Sequence, residues 1–173
     1  MRLSTKELRA AHKAGYFLVK GIKDRADCSR YIHRIEEYAD GTRVANGDME
    51  IQVEPRVTRG ELYTSGDDLR KITRIAHHDD LFKDLVMTPA IVNIMQQLMT
   101  QNLKLFRADV LMKPPFVGSA KGMHQDSPYW PIEPMALWSC WMPFEAATVE
   151  NGCMSAIAGS HKRGSYPHVK VVD

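Results

Sequence analysis

The stretch His124-Gln125-Asp126-Ser127-Pro128-Tyr129-Trp130 decides how this chain is read. It sets an imidazole and a carboxylate two positions apart, then a proline and two aromatic side chains. On a strand or at its end, a His and an Asp two apart, here His124 and Asp126, can both reach one metal ion where the backbone kinks. They supply one imidazole and the carboxylate of a 2-His-1-carboxylate triad, which leaves positions open on Fe(II) for a chelating co-substrate and O2. The pattern alone carries little weight. The chain holds 7 His and 21 acidic residues in 173, so such pairs arise by chance, and His77-His78-Asp79-Asp80 contains two more. There the simpler reading is a solvated cap ahead of Leu81-Phe82.

Outward from this stretch the pattern changes character near residue 102. Residues 103–112 alternate well enough for a strand, broken by Pro114-Pro115. A loop containing glycine and serine runs on to Gly122. Residues 137–142, with Trp138 and Trp141, read as another strand. Glu150-Asn151-Gly152 is a turn signal, because Asn and Gly accept positive φ. Residues 153–158 read as a further short strand closed by Gly159-Ser160. His161 is read as a loop residue hydrogen-bonded to backbone.

Upstream the reading is helical. Ser4 and Glu7 have the spacing of a capping box, and Gly15 ends that helix. Tyr16-Phe17-Leu18-Val19 reads as a short buried strand stopped by Gly21. Asp24 caps a second helix whose Cys28, Tyr31, Ile32, Ile35, Tyr38 and Ala39 share one face, with Gly41 at its end. Residues 42–66 have no clear period and read as loop. Asp67 or Asp68 opens a third helix with Leu69, Ile72 and Ile75 on one side. Thr88-Pro89 starts a fourth, with Ile91, Ile94, Met95 and Leu98 as its buried stripe. Helices first and strands afterwards make an α+β fold.

Composition narrows the functional classes. Hydrophobic residues make up 44% and charged residues 25%, as in ordinary globular domains. A net charge of +2 is too weak to argue for nucleic acid or a membrane surface. There is no apolar run long enough to span a bilayer and no signal peptide. Three scattered cysteines, Cys28, Cys140 and Cys153, point to a reducing cytoplasm and away from a disulfide framework. The expected partner is a small-molecule substrate, and a homo-oligomer is left open.

Taken in order, Lys113-Pro114-Pro115, the His124-Gln125-Asp126-Ser127-Pro128-Tyr129-Trp130 stretch, Glu133-Pro134, Trp141, Glu150-Asn151-Gly152-Cys153 and Gly159-Ser160-His161-Lys162-Arg163-Gly164 resemble the phytanoyl-CoA dioxygenase family. The N-terminal helices and Lys71-Ile72-Thr73-Arg74-Ile75 resemble it less specifically. The resemblance implies a double-stranded β-helix of the jelly-roll, cupin-like kind. Residues 1–101 would form a helix-rich part packed on the barrel, and residues 102–173 the first part of the catalytic core, in one domain.

It also implies an Fe(II)- and 2-oxoglutarate-dependent dioxygenase that hydroxylates a small organic or acyl substrate with O2. His124 and Asp126 would bind iron. Lys71 would help hold the 2-oxoglutarate carboxylate, a cation being the natural partner for that charge. Gln125 would sit beside the co-substrate and Trp141 would lie against it. Tyr129 and Trp130 would line the substrate mouth. Each has an alternative: Lys71 a surface helix lysine, and Trp138 or Trp141 a core aromatic.

The family's second iron-binding histidine, and a basic residue following it, lie further downstream than this chain extends. His168 is the candidate left to substitute. The polypeptide is accordingly expected to be a fragment, a truncated product or a subunit completed by another chain. The rival reading is a catalytically inactive remnant or interaction module of the same fold.

Overall fold

The computed structural model describes residues 1–61, 68–130 and 132–168. In chain order it contains α1 Thr5–Ala14, α2 Arg25–Ala39, β1 Ile51–Val53, α3 Pro55–Thr58, β2 Leu69–Ile72, α4 Ile75–His78, α5 Asp80–Val86, α6 Pro89–Leu98 and β3 Val110–Leu111. Two 3-10 turns follow, Ser127–Tyr129 and Ser160–Arg163. Helices combined with a small antiparallel sheet are an α+β arrangement.

The helix boundaries follow from local chemistry. At α1, Glu7 N–H donates to Ser4 Oγ at 3.2 Å and Ser4 N–H donates back to Glu7 Oε2 at 2.7 Å. Both are backbone donors a helix start would otherwise leave unpaired. Gly15 closes α1 at φ +82°, where a side chain is disfavoured. The helix end is then covered from far along the chain. Gly159 N–H donates to Ala14 O at 2.7 Å, and His161 Nε2 bonds His12 O at 3.0 Å. The backbone-bonded His161 of the sequence reading is thus a clamp on the last carbonyls of α1.

Two apolar clusters form the core. The larger gathers Tyr31, Ile35 and Tyr38 of α2 with Leu69 and Ile72 of β2, Ile75, Phe82 and Leu85 of α4 and α5, and Val110 of β3. The smaller joins Leu3 and Ala11 to Ile94 and Leu98 of α6. The sheet order is β1-β2-β3, with Ile51 opposite Ile72, and Ile72 opposite Val110. The central Ile72 is fully buried.

Several expected elements differ. Leu69, Ile72 and Ile75 do not line a third helix: Leu69–Ile72 is β2, and only Ile75–His78 is helical. A spacing of three fits a helical stripe, but pairing with β1 and β3 on both sides decides the conformation, and no local period records that. Asp67 lies outside the described residues. The loop expected over 42–66 contains β1 and α3. The strand expected over 103–112 is confined to Val110–Leu111, and residues 16–19, 137–142 and 153–158 are not strands.

These stretches alternate without a ladder. Phe17 and Val19 pack on the smaller cluster while Tyr16 and Leu18 are exposed. Trp138 packs there too, and Met142 and Phe144 pack on the larger cluster. Phe144 stacks on Tyr31 with ring centroids 5.0 Å apart. A strand needs a hydrogen-bonded neighbour as well as an alternating face.

The helical layer is tied by a buried acid. Asp79, expected as a solvated cap, does cap α5, accepting from Leu81 N–H at 2.9 Å, but its side chain is 1% exposed. Arg34 Nη1 donates to it at 2.7 Å and Tyr38 Oη at 3.0 Å. Burial opposes its charge, yet Arg34 and Tyr38 together hold the carboxyl below the ordinary carboxylate range. Burial and the hydrogen bond to Asp79 push the Tyr38 hydroxyl up to about 12.

Two outcomes are expected. Gly15→Ala forces a side chain into positive φ and into the His161 imidazole, whereas Gly21, also at positive φ, has open space around it. Gly21→Ala should cost about 1 kcal/mol and Gly15→Ala clearly more in urea unfolding. Asp79→Asn should cost about 2 kcal/mol at neutral pH. Because the folded pKa of Asp79 is depressed, its contribution is present above the unfolded carboxylate pKa of about 3.9 and fades as pH falls through the lower folded value. Acid unfolding of Asp79→Asn should therefore be shallower than that of the parent. Tyr38 acts in the opposite sense, its contribution fading as pH rises from 10.0 toward about 12.

Candidate functional site

The loop after β3 turns at residues 115–117 and delivers residues 123–126 as irregular backbone into the 3-10 turn Ser127–Tyr129, with Pro128 within its first two positions. Tyr129 N–H donates to Asp126 O at 3.0 Å, which fixes the bend immediately after the acid. His124 Nδ1 lies 2.8 Å from Gly122 O. A carbonyl only accepts, so Nδ1 donates in this contact. The other ring nitrogen, Nε2, faces Asp126 Oδ1 at 3.5 Å. Both side chains are partly open to solvent, 35% and 42% exposed, so a cation has access to them.

Gln125 faces a different segment. Its Nε2 donates to Gly164 O at 3.0 Å, and its Oε1 accepts from Tyr166 N–H at 2.8 Å. Its backbone N–H donates to His168 Nε2 at 2.8 Å, while His168 Nδ1 lies 2.6 Å from Tyr166 O. Both nitrogens of His168 are thereby engaged with backbone. The His168 ring also meets Tyr129 edge-on at 5.4 Å. Trp130 packs against Phe106 at 5.1 Å.

Lys71 and Trp141 have other surroundings. Lys71 sits in the middle strand β2, not on a helix, and its Nζ pairs with Asp109 at 2.9 Å. Asp109 also receives Arg107 Nε at 2.7 Å and Arg74 N–H at 2.9 Å. Burial opposes the Asp109 charge, but Arg107, the Arg74 N–H and Lys71 hold its carboxyl below the usual range. Trp141 is 49% exposed. The structure thus brings together His124, Gln125, Asp126, Tyr129 and His168, and among the described residues no hydrogen bond or ion pair joins Lys71 to that group.

The donor chemistry at His124 and Asp126 fits part of an Fe(II) site. An imidazole with its Nδ1 tied to a carbonyl, beside a carboxylate, is a recurrent first half of a metal shell. Among the described residues no group of three or more His, Cys, Asp or Glu could hold a metal ion. The sequence reading offers His168 as a substitute metal ligand, whereas its Nε2 accepts from Gln125 N–H; it does not foresee the Gln125 ties to Gly164 and Tyr166, or Asp109 as the partner of Lys71. Neither relation has a local signal, since both join separate segments through single side chains.

Comparison with known proteins places this geometry in context. The family described as phytanoyl-CoA dioxygenase (PhyH) matches residues 11–173. A probable phytanoyl-CoA dioxygenase of Caenorhabditis elegans is 27% identical over 173 residues, covering 96% of this chain and 55% of that protein. The zebrafish (Danio rerio) phytanoyl-CoA dioxygenase domain-containing protein 1 is 23% identical, covering 94% of this chain and 67% of that protein. The human peroxisomal phytanoyl-CoA dioxygenase is 23% identical, covering 96% and 50% respectively. The chain thus spans about half to two thirds of the length of these relatives. Among solved structures, none matches it. With the family matched along nearly the whole sequence, this chain belongs to the phytanoyl-CoA dioxygenase family.

Proposed function

We propose that this chain carries the iron-binding edge of an Fe(II)- and 2-oxoglutarate-dependent dioxygenase, with His124 Nε2 and an Asp126 carboxylate oxygen as two of the three protein ligands. The observation that carries this is the mutual approach of the two side chains at 3.5 Å, with His124 Nδ1 bonded to Gly122 O. Bound iron and 2-oxoglutarate would supply the oxidising chemistry, by decarboxylation of the co-substrate with O2. The chain's own residues orient and shield. His124 and Asp126 set the position of the metal. Tyr129 and Trp130, beside the pair, line the mouth for a small organic or acyl substrate. Trp141 offers a flat apolar surface to the co-substrate.

Lys71 supplies the cation for a 2-oxoglutarate carboxylate. In the structure described here its charge is shared with Asp109, whose carboxylate also has Arg107, so an arriving carboxylate would compete for Lys71 without leaving Asp109 unpaired. The surrounding fold in this proposal is a double-stranded β-helix, for which the alternating but unladdered stretches 103–109, 137–142 and 153–158 would supply strands. The three free thiols suit a reducing, cytoplasmic setting.

A second reading, a catalytically inactive module of the same fold, is favoured by one observation. The described residues gather two metal donors rather than three.

Anaerobic titration with Fe(II) and 2-oxoglutarate separates the two readings. The dioxygenase reading predicts a visible metal-to-ligand charge-transfer band that is lost in His124→Ala and in Asp126→Ala. A folded parent chain without the band supports the inactive module. Lys71→Ala should leave Fe(II) affinity unchanged and weaken 2-oxoglutarate binding by about tenfold, the worth of one charge-assisted hydrogen bond. Equal 2-oxoglutarate affinity in parent and variant would remove Lys71 from the site.

A further inference from the structure

Gln125 has three polar groups committed to one partner segment. Its backbone N–H goes to His168, its side-chain N–H to Gly164 O, and its side-chain oxygen takes Tyr166 N–H. The carbonyl of residue 164 and the N–H of residue 166 flank Ser165, the pair of groups that an adjoining strand would normally engage. The Gln125 amide occupies that place. A side-chain amide is suited to it because it offers a donor and an acceptor side by side. Among the described residues the other contacts between the two segments are slight. Ser127 and Ser165 hydroxyls are 3.5 Å apart, at the limit of a hydrogen bond, and the Tyr129–His168 contact is a ring edge. Neither segment has a strand partner among the described residues.

The residues on either side of Gln125 are His124 and Asp126. Fixing the central residue at both backbone and side chain removes the freedom by which its neighbours would separate. We propose that Gln125 is a positioning residue for the metal pair: it clasps residues 164–168 so that His124 and Asp126 stay facing one another. His168 serves this clasp as the acceptor for the Gln125 N–H. The inference rests on the metal-binding reading of His124 and Asp126, and it assigns Gln125 a role that does not involve touching metal or co-substrate.

The test uses Co(II), followed by its visible absorption, on the full chain with Gln125→Met and Gln125→Ala. Methionine keeps the length and loses both hydrogen bonds. Amide exchange at Tyr166, measured by NMR without metal, reports the clasp directly. The expected result is a Co(II) dissociation constant raised about tenfold in both variants, the usual effect of losing a residue that orients a ligand, together with faster Tyr166 exchange and retained folding. Unchanged Co(II) affinity with faster exchange would reduce Gln125 to a structural tie and overturn the inference alone. Unchanged exchange would show that the clasp does not form. Unfolding of both variants would make the residue a stability element and would equally overturn it. A parent chain that binds no Co(II), while Tyr166 exchange still answers to Gln125, would overturn this inference and the proposed function together.

Discussion

A buried carboxylate must find its charge partners or it destabilises the state that buries it. Asp79 is such a group, and it ties two of the helices, α2 and α5, together. Its requirement for Arg34 and Tyr38 brings α2 against the start of α5, and its hydrogen bond from Leu81 N–H starts that helix. With α2 and α5 in register, Tyr31, Ile35, Phe82 and Leu85 close over Ile72 and Ile75. Ile72 of β2 and Val110 of β3, opposite each other in the sheet, belong to the same cluster.

Beyond β3 the chain is held by single anchors instead of ladders. Trp138 rests on His12 and Phe17, Phe144 on Tyr31 and Phe82, and Gly159 with His161 on the end of α1. The His124-Gln125-Asp126 loop precedes these anchors in the chain and is held by the tie to residues 164–168. A site built from widely spaced segments in this way depends on a few side-chain hydrogen bonds for its geometry. That makes the residue between the two donors as informative as the donors.

The starts of α1, α2 and α6 were legible because their chemistry is local. The Ser4 to Glu7 spacing, Asp24 as a cap and Pro89 after Thr88 each act within one turn and stand where the sequence places them. The Glu150-Asn151-Gly152 turn was legible for the same reason, with Gly152 at positive φ and Asn151 Oδ1 accepting from Thr148 N–H. The strand content was not legible. Residues 16–19 and 137–142 alternate as strands do, but a ladder is a property of two segments, and alternation reports only one. Leu69–Ile72 misled in the opposite direction, since a spacing of three looks helical until its neighbours on both sides are known. At the candidate site, the pairing of His124 with Asp126 could be read from a separation of two. The engagement of Gln125 by residues 164–168 and of Lys71 by Asp109 could not, because each joins segments far apart in sequence.

Shared ligation of one metal ion by His124 and Asp126 is the property on which the proposed function depends. The most direct measurement is anomalous diffraction at the iron edge from anaerobically grown crystals of the chain loaded with Fe(II). Shared ligation predicts a peak about 2 Å from both His124 Nε2 and an Asp126 carboxylate oxygen, the usual reach of first-row metals to imidazole and carboxylate. A peak at other residues, or none while the two side chains still face each other, would contradict it.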